Sequence, residues 1–130
     1  MTKQQLEQIY YTARELRMWE QELERIKARS PVNSPQPHNG SSGGTSDPTA
    51  QKTERVISLE DKIKTLKDKL QAERDEAVQF VLTIPNSVTR MVVYYRCISL
   101  MNWRKVAYEI GGGNTEESVR KIYTRFCEKL

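Results

Sequence analysis

"GGGNTEESVRK", Gly111 to Lys121, is the stretch on which the fold turns. Three consecutive glycines run into the polar pair Asn114-Thr115 and then into a segment with helical spacing. A glycine-rich turn ahead of a helix either cradles a phosphate or joins the two helices of a DNA-binding motif. A nucleotide-triphosphate loop follows a strand and closes on Gly-Lys-Ser/Thr. Here the glycines lead into Asn-Thr-Glu and no strand pattern precedes them. A dinucleotide fingerprint needs glycine where Glu116 stands. Both nucleotide assignments fail on these residues, which leaves the turn between two helices.

The flanking residues fit that turn. Upstream, Asn102 caps a short helix with Trp103, Val106, Ala107 and Ile110 inward, and Met101 ahead of the cap can staple to Val106. Ala107 is small where a second helix must cross closely. The glycines after Ile110 take positive φ at no steric cost and end the helix. Downstream, either Asn114 or Thr115 caps a helix over 115–130 with Val119, Ile122, Tyr123, Phe126 and Leu130 inward. With Asn114 as the cap, Glu117 would occupy the capping-box position. Before both, Pro85 in "TIPN" (83–86) breaks the preceding helix, and Asn86 to about Ser99 carries Val88, Met91, Val92 and Tyr95 on one face. Residues 83–130 thus read as three short helices, the last two in helix-turn-helix order.

With the apolar face of the last helix inward, Glu116, Glu117, Arg120, Lys121 and Thr124 point outward as candidates for reading bases in the major groove. Arg120 and Lys121 suit the guanine edge or phosphates, and Glu117 can accept from a cytosine amino group. Arg104, Lys105, Asn114, Thr115 and Arg125 are candidates for backbone phosphates. A solvated helix face presents the same charges, and Glu116 and Glu117 at a helix start also favour the helix dipole without any ligand. Charge location supports the polyanion. The formal net charge is +4. Residues 83–130 hold eight Lys and Arg against four acids, so the whole excess lies there, while 1–82 are balanced.

Residues 3–29 read as one long helix: Leu6, Ile9, Ala13, Leu16, Trp19, Leu23 and Ile26 recur every three or four positions without Gly or Pro. Residues 30–50 are Ser, Pro, Gly and Asn with almost no apolar side chain, the composition of a flexible linker. Asp47-Pro48 can open the next helix as cap and first residue. Over 51–82, Val56, Leu59, Ile63, Leu66, Leu70, Glu73, Ala77 and Phe80 keep a 3-4 rhythm that only Glu73 interrupts. Two such stripes predict an antiparallel helical hairpin. The linker spans ~25 Å by chain statistics, ample for the ~10 Å between neighbouring helices, whereas a parallel pair would have to run back ~40 Å. Two stripes leave apolar surface over, with Trp19 and the Tyr10/Tyr11 pair to place, which predicts a homodimer or higher oligomer through the N-terminal helices.

Other function classes find little support. Hydrophobic residues make up 37% of the chain and mean hydropathy is −0.72, low for a globule throughout. No apolar run reaches bilayer length and the N-terminus lacks a signal-peptide core, so the expectation is a cytoplasmic protein without a membrane partner. Cys97 and Cys127 lack metal-like spacing and read as reduced thiols. His38, the sole histidine, lies in the linker with nothing to orient it, so no catalytic triad, metal site or cofactor is expected and the chain reads as a non-enzyme.

On these residues a resemblance can be stated. "NTEESVRKIYTRFCEKL" (114–130) resembles the recognition helix of region 4 of the primary bacterial sigma factors in Thr115, Val119, Arg120, Ile122 and Lys129-Leu130. With "RMVVYYRCISLMNWRKVAYEIGGGNTEESVRKIYTRF" upstream, about the last 45 residues resemble small phage and prophage proteins of Firmicutes, similar to late-gene transcription activators of the RinA and ArpU kind. The resemblance implies an all-α, sequence-specific DNA-binding transcriptional regulator whose positions Glu116, Glu117, Arg120 and Lys121 touch a promoter element, with RNA polymerase as a further partner. Glu116 stands where sigma factors commonly carry Arg, and the turn is about two residues longer, which points to a different DNA element. Two other roles fit the same pattern: a small terminase-like recognition subunit for DNA packaging, and a polymerase-binding module without DNA readout.

Overall fold

The computed structural model describes residues 1–29 and 48–130. Every element in them is helical: α1 Lys3–Ala28, α2 Pro48–Leu82, α3 Ser87–Val93, a π-helical turn Tyr94–Ile98, α4 Trp103–Ile110 and α5 Glu116–Glu128. Most of the expected linker, with His38 and the Asp47 cap, lies outside the described residues. Its last part is not linker, since α2 already begins at Pro48. Proline is favoured there because a first-turn N–H has no intrahelical partner to lose.

The chain divides into two compact units, one of Met1–Arg14 with Asp68–Leu130 and the other of Glu15–Lys67. The heptad reading of α2 is visible residue by residue. From 53 to 77 the only side chains that are not exposed are Val56, Leu59, Ile63, Leu66, Leu70, Glu73 and Ala77.

Among the described residues of Glu15–Lys67, burial is confined to a narrow stripe. Leu16, Ile63 and Leu66 are buried, and Trp19, Leu23, Ile26, Val56 and Leu59 are half-buried. Charged side chains run along its edges: Lys67 Nζ to Glu20 at 3.8 Å, Lys27 Nζ to Glu60 at 3.9 Å, and Lys52 Nζ donating to the Arg29 carbonyl at 2.7 Å. As numbering rises along α1, the numbering of the paired residue falls along α2. On α1 itself Trp19 Nε1 donates to Glu15 (3.0 Å) and Arg25 forks onto Glu22. Such exposed pairs contribute little to stability, because solvent screens them.

The other unit has a core of a different kind. Leu6 and Ile9 of α1, Ala77 and Val81 of α2, and Ile84 meet Val92, Val93, Cys97, Ile98, Val106, Ala107, Val119 and Tyr123 from the C-terminal elements. Glu73, the interruption in the seam, is half-buried here, and its Oε1 is buried without a hydrogen-bond partner among the described residues.

The segment after Pro85 departs from the single helix expected to about Ser99. Asn86 caps α3, its side chain accepting from Thr89 N at 3.0 Å, but α-helical bonding stops at Val93. The chain then widens into the π turn, closed by Ser99 N donating to the Tyr94 carbonyl (3.0 Å) and Met101 N to the Tyr95 carbonyl (3.0 Å). A wider turn rotates the following residues relative to α-helical spacing. The buried residues of this segment are Val92, Val93, Cys97 and Ile98, whereas Met91, expected inward, is 37% exposed and Tyr95 is only half-buried. Leu100 then adopts φ 57°, a left-handed conformation uncommon outside glycine, and turns the chain toward α4.

Arg96 holds that corner. Its Nη1 donates to the Met101 carbonyl (3.0 Å) and its guanidinium lies 4.4 Å from the Trp103 ring centre. Trp103 in turn meets Tyr123 of α5, ring centres 5.4 Å apart. Leu130, expected inward, lies beyond the end of α5 and is 45% exposed.

Candidate nucleic-acid interface

The candidate surface is carried by α4, the glycine turn and α5. α4 is fixed at its start by Asn102, whose side chain accepts from Lys105 N at 2.8 Å. Its inner face is Val106 and Ala107, both buried, with Trp103 and Ile110 half-buried. The periodicity that buries these four leaves Arg104, Lys105, Tyr108 and Glu109 exposed.

Gly111 N closes α4 on the Ala107 carbonyl (3.0 Å), and Gly111, Gly112 and Gly113 have φ of 66°, 61° and 79°. A Cβ added at Gly111 or Gly113 would meet nothing within 4 Å. Torsion, not close approach of another group, is what demands glycine here. Asn114 N donates back to the Gly111 carbonyl (3.1 Å), and Asn114 Nδ2 donates to the same oxygen (2.9 Å).

The cap of α5 is Thr115. Its Oγ1 accepts from Ser118 N (3.1 Å), and Thr115 N donates to Ser118 Oγ (2.8 Å), so the capping box is Thr-Ser. Glu117 takes no part in it. Asn114 is occupied otherwise, its Oδ1 lying 3.2 Å from the Ser118 hydroxyl. The side chains of Asn114 and Thr115, candidates for phosphates, are thus engaged in shaping the turn. This leaves the exposed cations of α4 and α5 as the stronger phosphate candidates.

α5 buries Val119 and Tyr123 and half-buries Ile122 and Phe126. Glu116, Glu117, Arg120, Lys121, Thr124 and Arg125 are all exposed, so one helix gathers the base-reading candidates on its outer side. They are not equivalent. Lys121 Nζ lies 3.1 Å from Glu117 Oε1, one turn away, and the two charges offset each other. Arg120 and Arg125, like Arg104 and Lys105, make no ion pair or side-chain hydrogen bond with the described residues.

Two other basic residues of the tail are withdrawn from solvent chemistry: Arg96 as described, and Arg90, which donates to the Ile84 carbonyl (2.6 Å) and Ser87 Oγ (3.2 Å). Tyr108 stands outside the candidate set although 82% exposed. Its place one turn beyond Arg104, opposite Val106-Ala107, is legible in the spacing.

The two cysteines are free thiols. Cys97 Sγ donates to the Tyr123 hydroxyl at 3.6 Å, and burial pushes the Cys97 thiol up from 9.0 to about 11. Burial likewise raises the Tyr123 phenol, and Cys127 is raised by the same cause. A thiol held neutral in this way is a poor nucleophile, so these groups act as core. Among the described residues no group of three His, Cys, Asp or Glu could hold a metal ion, and no helix is long and apolar enough to cross a membrane.

No family model, curated protein or solved structure matches the chain significantly. The likeness of the tail to sigma region 4 therefore rests on the residues of the motif themselves.

Proposed function

We propose that the protein is a sequence-specific, double-stranded-DNA-binding transcriptional regulator of the phage kind. In this proposal α4 and α5 form a helix-turn-helix, α5 lies in the major groove, and α1 and α2 pair as an antiparallel hairpin that sets the oligomeric state. What supports it is a set of cations, Arg104 and Lys105 on α4 and Arg120 and Arg125 on α5, all exposed and unpaired among the described residues, on two helices joined by a turn of three positive-φ glycines. The opposed order of the Lys67–Glu20 and Lys27–Glu60 pairs supports the hairpin.

Arg120 is the strongest base reader, because Lys121 must first leave Glu117. Replacing both Arg120 and Lys121 by alanine should weaken binding to a duplex selected from random sequence by ~1–3 kcal/mol for each bidentate pairing with a base that is removed. Fluorescence anisotropy with selected and scrambled duplexes measures it. Unchanged affinity for the selected duplex would remove α5 as the reader.

A second function has an observation of its own. Leu82, Met91 and Tyr94 are 65%, 37% and 39% exposed beside a small apolar pocket with Val78, Val81 and Tyr95. Such a patch suits a protein partner such as RNA polymerase. Capture of polymerase together with no DNA affinity at low salt would favour an interaction module over a DNA reader.

A further inference from the structure

The outer face of α4 holds a side chain that base reading and charge neutralisation leave unused. Tyr108 is 82% exposed, the most exposed of the large hydrophobic residues described. It makes no hydrogen bond, ring contact or cation contact with the described residues. α4 is held rigidly beneath it by the Asn102 cap and by Val106 and Ala107, so Tyr108 stands at a set place beside Arg104 and Lys105. Among the described residues the two cations have no carboxylate partner, and Glu109, the acid on the same short helix, pairs with neither.

Two unpaired cations and a phenol on one helix face are complementary to a sugar–phosphate strand. The cations suit the anionic oxygens, the ring can lie along the apolar edge of deoxyribose, and the hydroxyl is a neutral donor of the kind that positions a protein on the backbone. We infer that Tyr108 is a positioning contact to the sugar–phosphate backbone of duplex DNA, its hydroxyl donating to a phosphate oxygen next to the one held by Arg104. This rests on the DNA-binding role proposed above and adds to it a contact that carries no sequence information.

The contact has a signature that charge lacks. A neutral donor displaces no condensed counterion, so its removal lowers affinity without altering the salt dependence. The test uses the full chain, a selected duplex and a scrambled duplex of the same length, each titrated over a range of salt. Tyr108→Phe, a surface change that keeps the ring, should weaken both duplexes about ten- to a hundredfold, the effect of one hydrogen bond to a charged acceptor, with the salt slope unchanged. Arg104→Ala should weaken both duplexes and flatten the slope by about one. Tyr108→Ala should fall below Tyr108→Phe because the packing of the ring on the sugar goes too.

Wild-type affinity in Tyr108→Phe would overturn the inference while leaving the DNA-binding role intact. A loss confined to the selected duplex would also overturn it, by making Tyr108 a base contact. A wild-type chain without affinity for either duplex would remove the DNA-binding role, and this inference with it.

Discussion

The described residues of Glu15–Lys67 and the elements α3 to α5 are both helical, for different reasons. α1 and α2 have 26 and 35 residues, beyond the ~12–15 at which isolated helices become marginally stable. Among the described residues of 15–67 a narrow seam suffices, and only Leu16, Ile63 and Leu66 are buried. α3 and α4 have 7 and 8 residues, too few to persist alone. They exist because side-chain caps at Asn86 and Asn102 satisfy their first N–H groups and because Val92, Val93 and Val106 are wholly buried. Long helices need a stripe; short ones need a core.

The largest test of that contrast is truncation of apolar side chains in each region. Ile98→Ala, in the core beneath the π turn, should cost about 2–5 kcal/mol. Leu59→Ala, in the half-buried seam, should cost nearer ~1 kcal/mol. Hydrogen exchange of α5 amides for the first and of the 15–28 amides for the second gives each value locally. Equal costs would break the contrast.

Alkali should single out the same core. The Cys97 thiol titrates at about 11 when folded against 9.0 ordinarily. A raised folded pKa gives stability that is fully present below pH 9 and is lost as pH rises toward 11, because the unfolded chain then gives up the proton first. The loss at Cys97 is on the order of 2 kcal/mol. Urea midpoints between pH 8 and 11, with Cys97→Ala as the reference that lacks this titration, would show it, and a parallel decline in both proteins would sink it.

Next comes the turn. Gly111 has φ 66° and ψ −148°, a region open essentially to glycine alone, and nothing crowds a Cβ there. Gly111→Ala should cost about 1–3 kcal/mol through the backbone alone. Calorimetry tests this, and a neutral result would mean that the turn re-forms around another conformation.

The smallest effect belongs to the long helices. Glu22 is held below its ordinary 4.5 first by its hydrogen bond from Arg25. Its small contribution is present above that value and fades as pH falls through the folded pKa. In a carboxyl-carbon NMR titration, Arg25→Gln should move the Glu22 midpoint up; an unmoved midpoint would show that the ion pair does not form in solution.

Much of the seam was legible because a heptad exposes its own period: the residues of α2 that avoid solvent between 53 and 77 are the seam residues, Glu73 included. The Asn102 cap followed from an Asn just before an apolar-periodic segment, and the helix break at Pro85 from proline stereochemistry. The outward placement of Glu116, Arg120, Lys121 and Thr124 followed from burying Val119 and Tyr123. The burial pattern of 94–99 did not follow, because a π turn leaves no compositional mark, and burying Cys97 and Ile98 together depends on how Ser99 and Met101 close on Tyr94 and Tyr95.

By itself, the sequence determined the helical class, the face of each long helix, the need for a left-handed glycine turn after Ile110, and the concentration of positive charge in the tail. These are local matters of period, torsion and composition. Only the tertiary structure decided which charges are available. Arg90 and Arg96 are tied to backbone carbonyls, and Asn114 and Thr115 are engaged in the turn, while among the described residues Arg104, Lys105, Arg120 and Arg125 remain unpaired. The physical reason is competition. A guanidinium or amide at the surface binds whichever acceptor the folded backbone presents within reach, and the helix ends and turns that present free carbonyls, as at Ile84 and Met101, take shape only in the folded chain.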